Sequence, residues 1–234
     1  MNTRIKPGLL LAFILMMVSA CANASGGIAL GATRVIYPAD AKQTSLAITN
    51  SNKQERYLIN AWIENANGQK EKTFAVTPPL FVSEPDSENT LRIIYAGPAL
   101  PADRESLFYM NVKAIPSVNK AKTENNNVLQ LAIRSRFKFI YRPAGLGNRD
   151  AAAEKLTLTA SGSNLAINNP TPFYITVSRI SRDGGKALNS KTVMLAPQSS
   201  QTVALSSAVN RGETLTVNNI NDYGADVAVK VAVK

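Results

Sequence analysis

The sequence predicts an all-β protein folded as two β-sandwich domains. Apolar residues recur at period two in one segment after another, the mark of strands with one buried face. Gly, Pro, Asn and Asp punctuate these segments, and no stretch keeps a convincing helical period. The chain has 234 residues, too many for one sandwich of about 100 residues, so two fit better.

The N-terminal 24 residues stand apart from this pattern. Arg4 and Lys6 form a positive region, Leu9 to Val18 a short apolar run, and Ala22-Asn23-Ala24 a small-x-small cleavage site. That is the layout of a secretory signal, and the apolar run is too short to span a membrane. Val18-Ser19-Ala20-Cys21 also resembles a lipoprotein signal, which would leave a lipidated Cys21 at the new N-terminus. Either way the protein is expected outside the cytoplasm.

Strands follow in order. Leu46 and Ile48 alternate with polar neighbours, and Tyr57, Ile59, Ala61 and Ile63 share one face of the next segment. Asn67-Gly68 then reads as a hairpin turn, since both residues tolerate positive φ. Phe108, Met110, Val112 and Ala114 mark a strand that Pro116 ends. Pro143 to Asn148 is rich in Pro and Gly and is the expected seam. The expected division is a signal (1–24), a first domain (25–143), a linker (144–150) and a second domain (151–234). Ala151 to Glu154 offers at most one helical turn. In the second half Phe173, Ile175 and Val177 alternate, Asp183-Gly184-Gly185 turns the chain, and Val203 with Leu205 follows. Val227, Val229, Val231 and Val233 close the chain on one face.

Composition removes several chemistries. There is no His, so no His-based triad or His-ligated metal site exists, and a single Cys allows neither an internal disulfide nor a zinc cluster. No Gly-x-x-x-x-Gly-Lys-Ser/Thr run occurs, so no ATP-driven step is expected, nor any cofactor. The net charge of +10 favours acidic partners, but the excess is spread along the chain, against a nucleic-acid arm.

The segment from Val128 to Tyr141 is the most informative. Leu129, Leu131 and Ile133 occupy one face of an extended run, and Gln130, Ala132, Arg134, Arg136 and Lys138 the other. Periodicity alone fits an ordinary amphipathic core strand with a solvated charged face. It also fits an edge strand whose apolar row receives a partner, backbone bonds binding and alternate side chains selecting.

Several motifs, in order, resemble one family. Gly31-Ala32-Thr33-Arg34-Val35-Ile36-Tyr37-Pro38 looks like the opening strand of periplasmic pilus chaperones of the PapD/FimC type, and the run from Leu100 to Pro116 resembles that family's signature. Thr77-Pro78-Pro79-Leu80-Phe81, Tyr141-Arg142-Pro143, Asn169-Pro170-Thr171-Pro172-Phe173 and Asn221-Asp222-Tyr223-Gly224 match as well. The resemblance covers essentially the whole chain after the signal and is closest to chaperones of type 1 fimbriae.

The resemblance implies two immunoglobulin-like domains in an L-shaped (boomerang) arrangement with a cleft between them. It implies a non-enzymatic chaperone that caps pilin subunits, tip adhesins included, by lending a strand called G1 to their incomplete fold. Leu129, Leu131 and Ile133 would fill the subunit groove. Arg34 and Lys138 would bind the subunit's C-terminal carboxylate in the cleft. Glu105, Arg142 and Asp222 would form a structural ionic network between domains. An outer-membrane usher would receive the loaded complex, Thr77-Pro78-Pro79-Leu80 offering it an apolar patch unless these residues are a buried turn. Free chaperone could self-associate weakly through the exposed strand. The short connection from Ser117 to Asn127 places the chain with the short-loop subgroup.

Two other classes fit less well. A pilus subunit would carry a free N-terminal donor extension and often a disulfide, and neither is visible. A glycosidase needs two Asp or Glu side chains with one held as an acid, but an intervening Arg142 would keep Glu105 and Asp222 ionised. A lectin would want aromatic platforms, whereas the lone Trp62 fits an alternating strand.

Overall fold

A computed structural model describes residues 26–117, 129–183 and 185–234. The signal segment with Cys21, the short connection at 118–127, Val128 and Gly184 lie outside the described residues.

Nine strands come first: β1 (Ile28–Leu30), β2 (Arg34–Pro38), β3 (Thr44–Asn50), β4 (Tyr57–Glu64), β5 (Phe74–Thr77), β6 (Leu80–Ser83), β7 (Ser87–Tyr95), β8 (Ser106–Pro116) and β9 (Ile133–Arg142). They form two sheets, ordered β1-β3-β7-β5 and β2-β9-β8-β4-β6. The predicted alternation decides what lies between them. Leu46, Ile48, Leu91 and Ile93 face Ile59, Ala61, Ile63, Met110 and Val112 in a single buried cluster. Each large side chain buried this way contributes about 1.5–3 kcal/mol relative to exposure.

After the seam a 3₁₀ helix spans Asp150–Lys155, longer than the single turn expected, because Ala152 and Ala153 are buried there. Seven strands follow: β10 (Thr157–Ser161), β11 (Asn164–Asn169), β12 (Ile175–Ser181), β13 (Val193–Leu195), β14 (Ser199–Ala204), β15 (Thr214–Ile220) and β16 (Asp226–Ala232). Their sheets are ordered β10-β11-β14 and β13-β12-β15-β16. Leu158, Leu165, Ile167, Ile175, Val177 and Val217 lie in a second buried cluster. Two cores, one on each side of Pro143 to Asn148, make this a two-sandwich protein.

β9 differs from the expected run of 128–141. The strand begins only at Ile133, opposite Ala114 of β8. Beyond that pair β8 ends at Pro116, whose ring nitrogen has no hydrogen to donate. Leu129 to Ala132 therefore lack a ladder partner, though the Gln130 side chain donates to Pro116 O at 2.6 Å. On the other flank β2 runs parallel to β9 and begins at the pair Arg34 with Lys138. Between Ile133 and Phe137 one edge of β9 is thus open.

Candidate functional site

The open edge carries an apolar row. Leu129, Leu131 and Ile133 are 81%, 67% and 69% exposed, an unusual state for three large aliphatic side chains in succession. With Ser135 they line a groove of about 930 Å³ bordered by Ile28, Leu30 and Val112.

The opposite face of β9 is braced. Glu64, buried on β4, accepts from Arg134 at 2.6 Å, from Arg136 at 3.2 Å and from the Trp62 indole at 2.9 Å. Arg134 also donates twice to Asn111 Oδ1. The guanidinium groups lie over aromatic rings, Arg134 at 5.1 Å from the Trp62 ring centre and Arg136 at 3.5 Å from that of Tyr109. Cation–π contacts and charge-assisted bonds stiffen the strand without covering its free edge.

Where the open edge ends, the two predicted anchor cations meet. Arg34 and Lys138 stand side by side on neighbouring strands. In the free protein each reaches across to the second domain: Lys138 Nζ donates to Thr176 Oγ1, and an Arg34 terminal nitrogen donates to Ile220 O at 3.3 Å. Burial, and next the charge of Arg34, pull the Lys138 ammonium down to about 8. Burial lowers Arg34 too, helped by the neighbouring charge of Arg149. Two desolvated like charges side by side favour a bound anion.

Beside them Glu105, Arg142 and Asp222 come together. Arg142 Nε donates to Glu105 at 2.6 Å, and its two terminal nitrogens donate to Asp222 at 2.6 and 2.9 Å. Glu105 is fully buried as a side chain, and burial pushes its carboxyl up against the opposing pull of Arg142. For Asp222 burial pushes up, but the Arg142 hydrogen bond with the charges of Arg142, Arg149 and Arg34 holds its carboxyl below the usual range.

Local turns aim these groups. Asn221 Oδ1 accepts from the backbone of Tyr223 and Ala225, and Gly224 takes φ +85° where a Cβ would stand 2.4 Å from Thr33 Oγ1. Only glycine fits such a turn, which presents Asp222 to Arg142. In the other motif Asn169 Nδ2 donates to Phe173 O and Ala196 O while its Oδ1 receives Thr171. This fixed turn lets Pro172 O accept from Glu105 N at 2.9 Å, and Tyr174 N donates to Glu105 Oε2 at 2.6 Å. The Asn-Pro-Thr-Pro motif is therefore both a turn and a clasp between domains.

Sequence reasoning missed Arg149 and Thr176. Thr176 is half a period out of step with core residues Ile175 and Val177, which marks an outward side chain but not its partner. Arg149 lies within the expected linker, 144–150, and is only 6% exposed; its place there was the sole available signal. Among the described residues no group of three His, Cys, Asp or Glu could hold a metal ion.

Comparison with known proteins agrees with this architecture. Residues 27–147 match the family described as pili and flagellar-assembly chaperone, PapD N-terminal domain, and residues 151–230 match the pili assembly chaperone PapD, C-terminal domain. The chaperone protein MrkB of Klebsiella pneumoniae is 57% identical over 229 residues, covering 95% of this chain and 97% of MrkB. The solved periplasmic chaperone SfaE is 46% identical with a TM-score of 0.74, over 88% of this chain and all of SfaE. A Salmonella enterica structure of the SafA pilin in complex with the SafB chaperone matches at a TM-score of 0.78 and 28% identity, over 91% of this chain and 99% of that one. With both domain matches in order and relatives alike over nearly their whole length, the chain belongs to the PapD family of pilus-assembly chaperones.

Proposed function

We propose that this chaperone captures pilin subunits, tip adhesins among them, along the open edge of β9 in the periplasm. The observation that carries the reading is one continuous feature: an exposed apolar row at Leu129, Leu131 and Ile133, an unpaired backbone edge to Phe137, and the Arg34–Lys138 cation pair at its end. A subunit whose sandwich lacks a strand has an open groove and free edges, both aggregation hazards. The row would fill the groove while the edge pairs with its backbone. A terminal carboxylate held by Arg34 and Lys138 sets the register, and a one-residue slip would turn every side chain to the wrong face. A strand ending there and lying along the open edge runs parallel to β9. The SafA–SafB complex supports a pilin as the partner.

Release follows by exchange. An incoming subunit's donor strand displaces β9 because Ser135 interrupts the apolar row, leaving one groove site poorly filled. Delivery falls to an usher, for which Leu58, Leu80 and Val82 form an exposed apolar patch on the far side of the first domain. Glu105, Arg142 and Asp222 hold the cleft in shape for the anchor.

The test is co-expression with a pilin from a fimbrial gene cluster, followed by purification from the periplasm. Pilin should co-purify with the wild-type protein and be lost with Lys138→Ala, because removing one partner of a desolvated charge pair costs about 2–5 kcal/mol. Normal recovery of pilin with the Lys138→Ala protein would sink the anchor assignment.

A further inference from the structure

The turn after β15 carries the most exposed large apolar side chain among the described residues: Tyr223 is 91% exposed. Its backbone is firmly held. Asn221 Oδ1 accepts from Tyr223 N at 3.1 Å and from Ala225 N at 2.9 Å, and Gly224 N donates to Asn221 O at 3.1 Å. The residues on either side are pinned to the first domain, Asp222 by two bonds from Arg142 and Gly224 by close packing on Thr33. The turn thus sets a bare aromatic ring on a fixed base. Tyr223 forms one wall of a cavity of about 410 Å³ that Thr33, Arg34, Ile36 and Asp222 also line. The ring shares this cavity with one of the two anchor cations.

We infer that Tyr223 selects the C-terminal residue of the captured strand, receiving an aromatic side chain in this cavity. The inference rests on the proposed capture of a subunit's C-terminus and adds a specificity determinant to it. The path of the chain gives the placement. A strand running parallel to β9 along its open edge follows the line that β2 takes up at Arg34. Gly31 to Thr33 turn out of that line toward β1 and the other sheet, where Gly31 N donates to Ala47 O. The end of the captured strand therefore meets Thr33 and Arg34, both of which line the cavity. The anchor head groups stand off β2 and β9 toward the second domain, Lys138 bonding Thr176 and Arg34 bonding the Ile220 carbonyl. To reach them the last residue must leave the ladder on that side, and Ile220 leads directly into the 221–224 turn. Its side chain then lies between β2 and Tyr223. An aromatic suits this place. A tyrosine ring offers a broad apolar face with only two χ angles to fix, and ring pairs attract beyond their buried area. Ile36 adds apolar lining, while Asp222 is committed to Arg142. Because the backbone beneath the ring is already fixed, little ordering cost is set against the contact.

The probes are synthetic peptides of alternating apolar and polar residues, long enough to lie along 129–137 and identical except for a C-terminal Phe or Ala. Each is prepared as the free acid and as the C-terminal amide. Calorimetry on the mature two-domain protein gives the ratio of Phe-ended to Ala-ended affinity within each variant. In the wild-type protein the Phe-ended acid should bind roughly five- to tenfold more tightly than the Ala-ended acid. Tyr223→Ala should bring that ratio close to one while keeping the preference for acid over amide, and Tyr223→Phe should retain the ratio. A side chain this exposed can be truncated without loss of core contacts, and a ratio taken within one variant does not depend on how much of it folds. An unchanged ratio in Tyr223→Ala, or no preference for Phe in the wild-type protein, would overturn the inference and leave the anchor standing. Equal affinity of acid and amide for the wild-type protein would overturn the anchor itself, and the inference with it.

Discussion

Lys138 shows how one residue's surroundings set its chemistry. The spacing of Arg34 and Lys138 in the sequence says nothing of their meeting; only the parallel pairing of β2 with β9 puts them in register. The resemblance named both, but the burial that lowers the ammonium to about 8 comes from Thr176 and the second domain, which no sequence pattern shows. The sign of the consequence is fixed. A lysine depressed in the folded state opposes folding while it must stay charged, so its cost to the free protein eases as pH rises from about 8 toward its ordinary 10.5. A bound carboxylate favours the charged form and raises that pKa. Client affinity should therefore be flat below pH 8 and decline above it, with about half a proton taken up per complex at pH 8. Calorimetry in buffers of different ionisation enthalpy reads the proton directly. A pH-independent affinity from 7 to about 9.5 would show that Lys138 does not hold the anion.

At the scale of the element, β9 was the most legible strand and also the one whose bounds were misjudged. Its two faces were readable from alternation alone, and Phe137 and Phe139 continue the Leu129-to-Ser135 row into the first core. Its beginning was not readable, because Pro116 on a different strand decides where pairing stops. Register with β8 is unbroken from Ile133 to Tyr141, so Ser135, opposite Val112, faces the same way as Ile133. That continuity gives the gap at Ser135 a consequence. Ser135→Leu should leave the chaperone–pilin complex intact and slow transfer of the pilin to a donor-strand peptide, since the poorly filled groove site would now be occupied. Fluorescence-monitored exchange checks it, and unchanged transfer kinetics would count against strand-by-strand displacement. The bracing by Glu64, Arg134 and Arg136 was less readable: the cations suggested a solvated face, and the buried carboxylate that gathers them lies some 70 residues away.

Across the whole molecule, two sandwiches were legible from strand count and chain length. The contacts that join them were legible only as motifs. Nothing in periodicity predicts that Gly224 closes on Thr33 or that Pro172 O meets the backbone of Glu105. The Arg142 network should carry measurable stability. Asp222→Asn loses a carboxylate that accepts two guanidinium bonds and should cost about 2 kcal/mol. Because folding depresses the Asp222 carboxyl, the deficit should be full at neutral pH and fade as acid protonates that group. Thermal melts of the free protein at neutral and acid pH test this, and equal melting at neutral pH would mean the network does not join the domains. The most direct test of subunit capture is amide hydrogen exchange on the free chaperone and on its complex with a pilin. Amides of residues 133–137 that point away from β8 should exchange quickly in the free protein and become strongly protected in the complex. Unchanged exchange along that edge, with new protection confined to other strands, would contradict capture by β9.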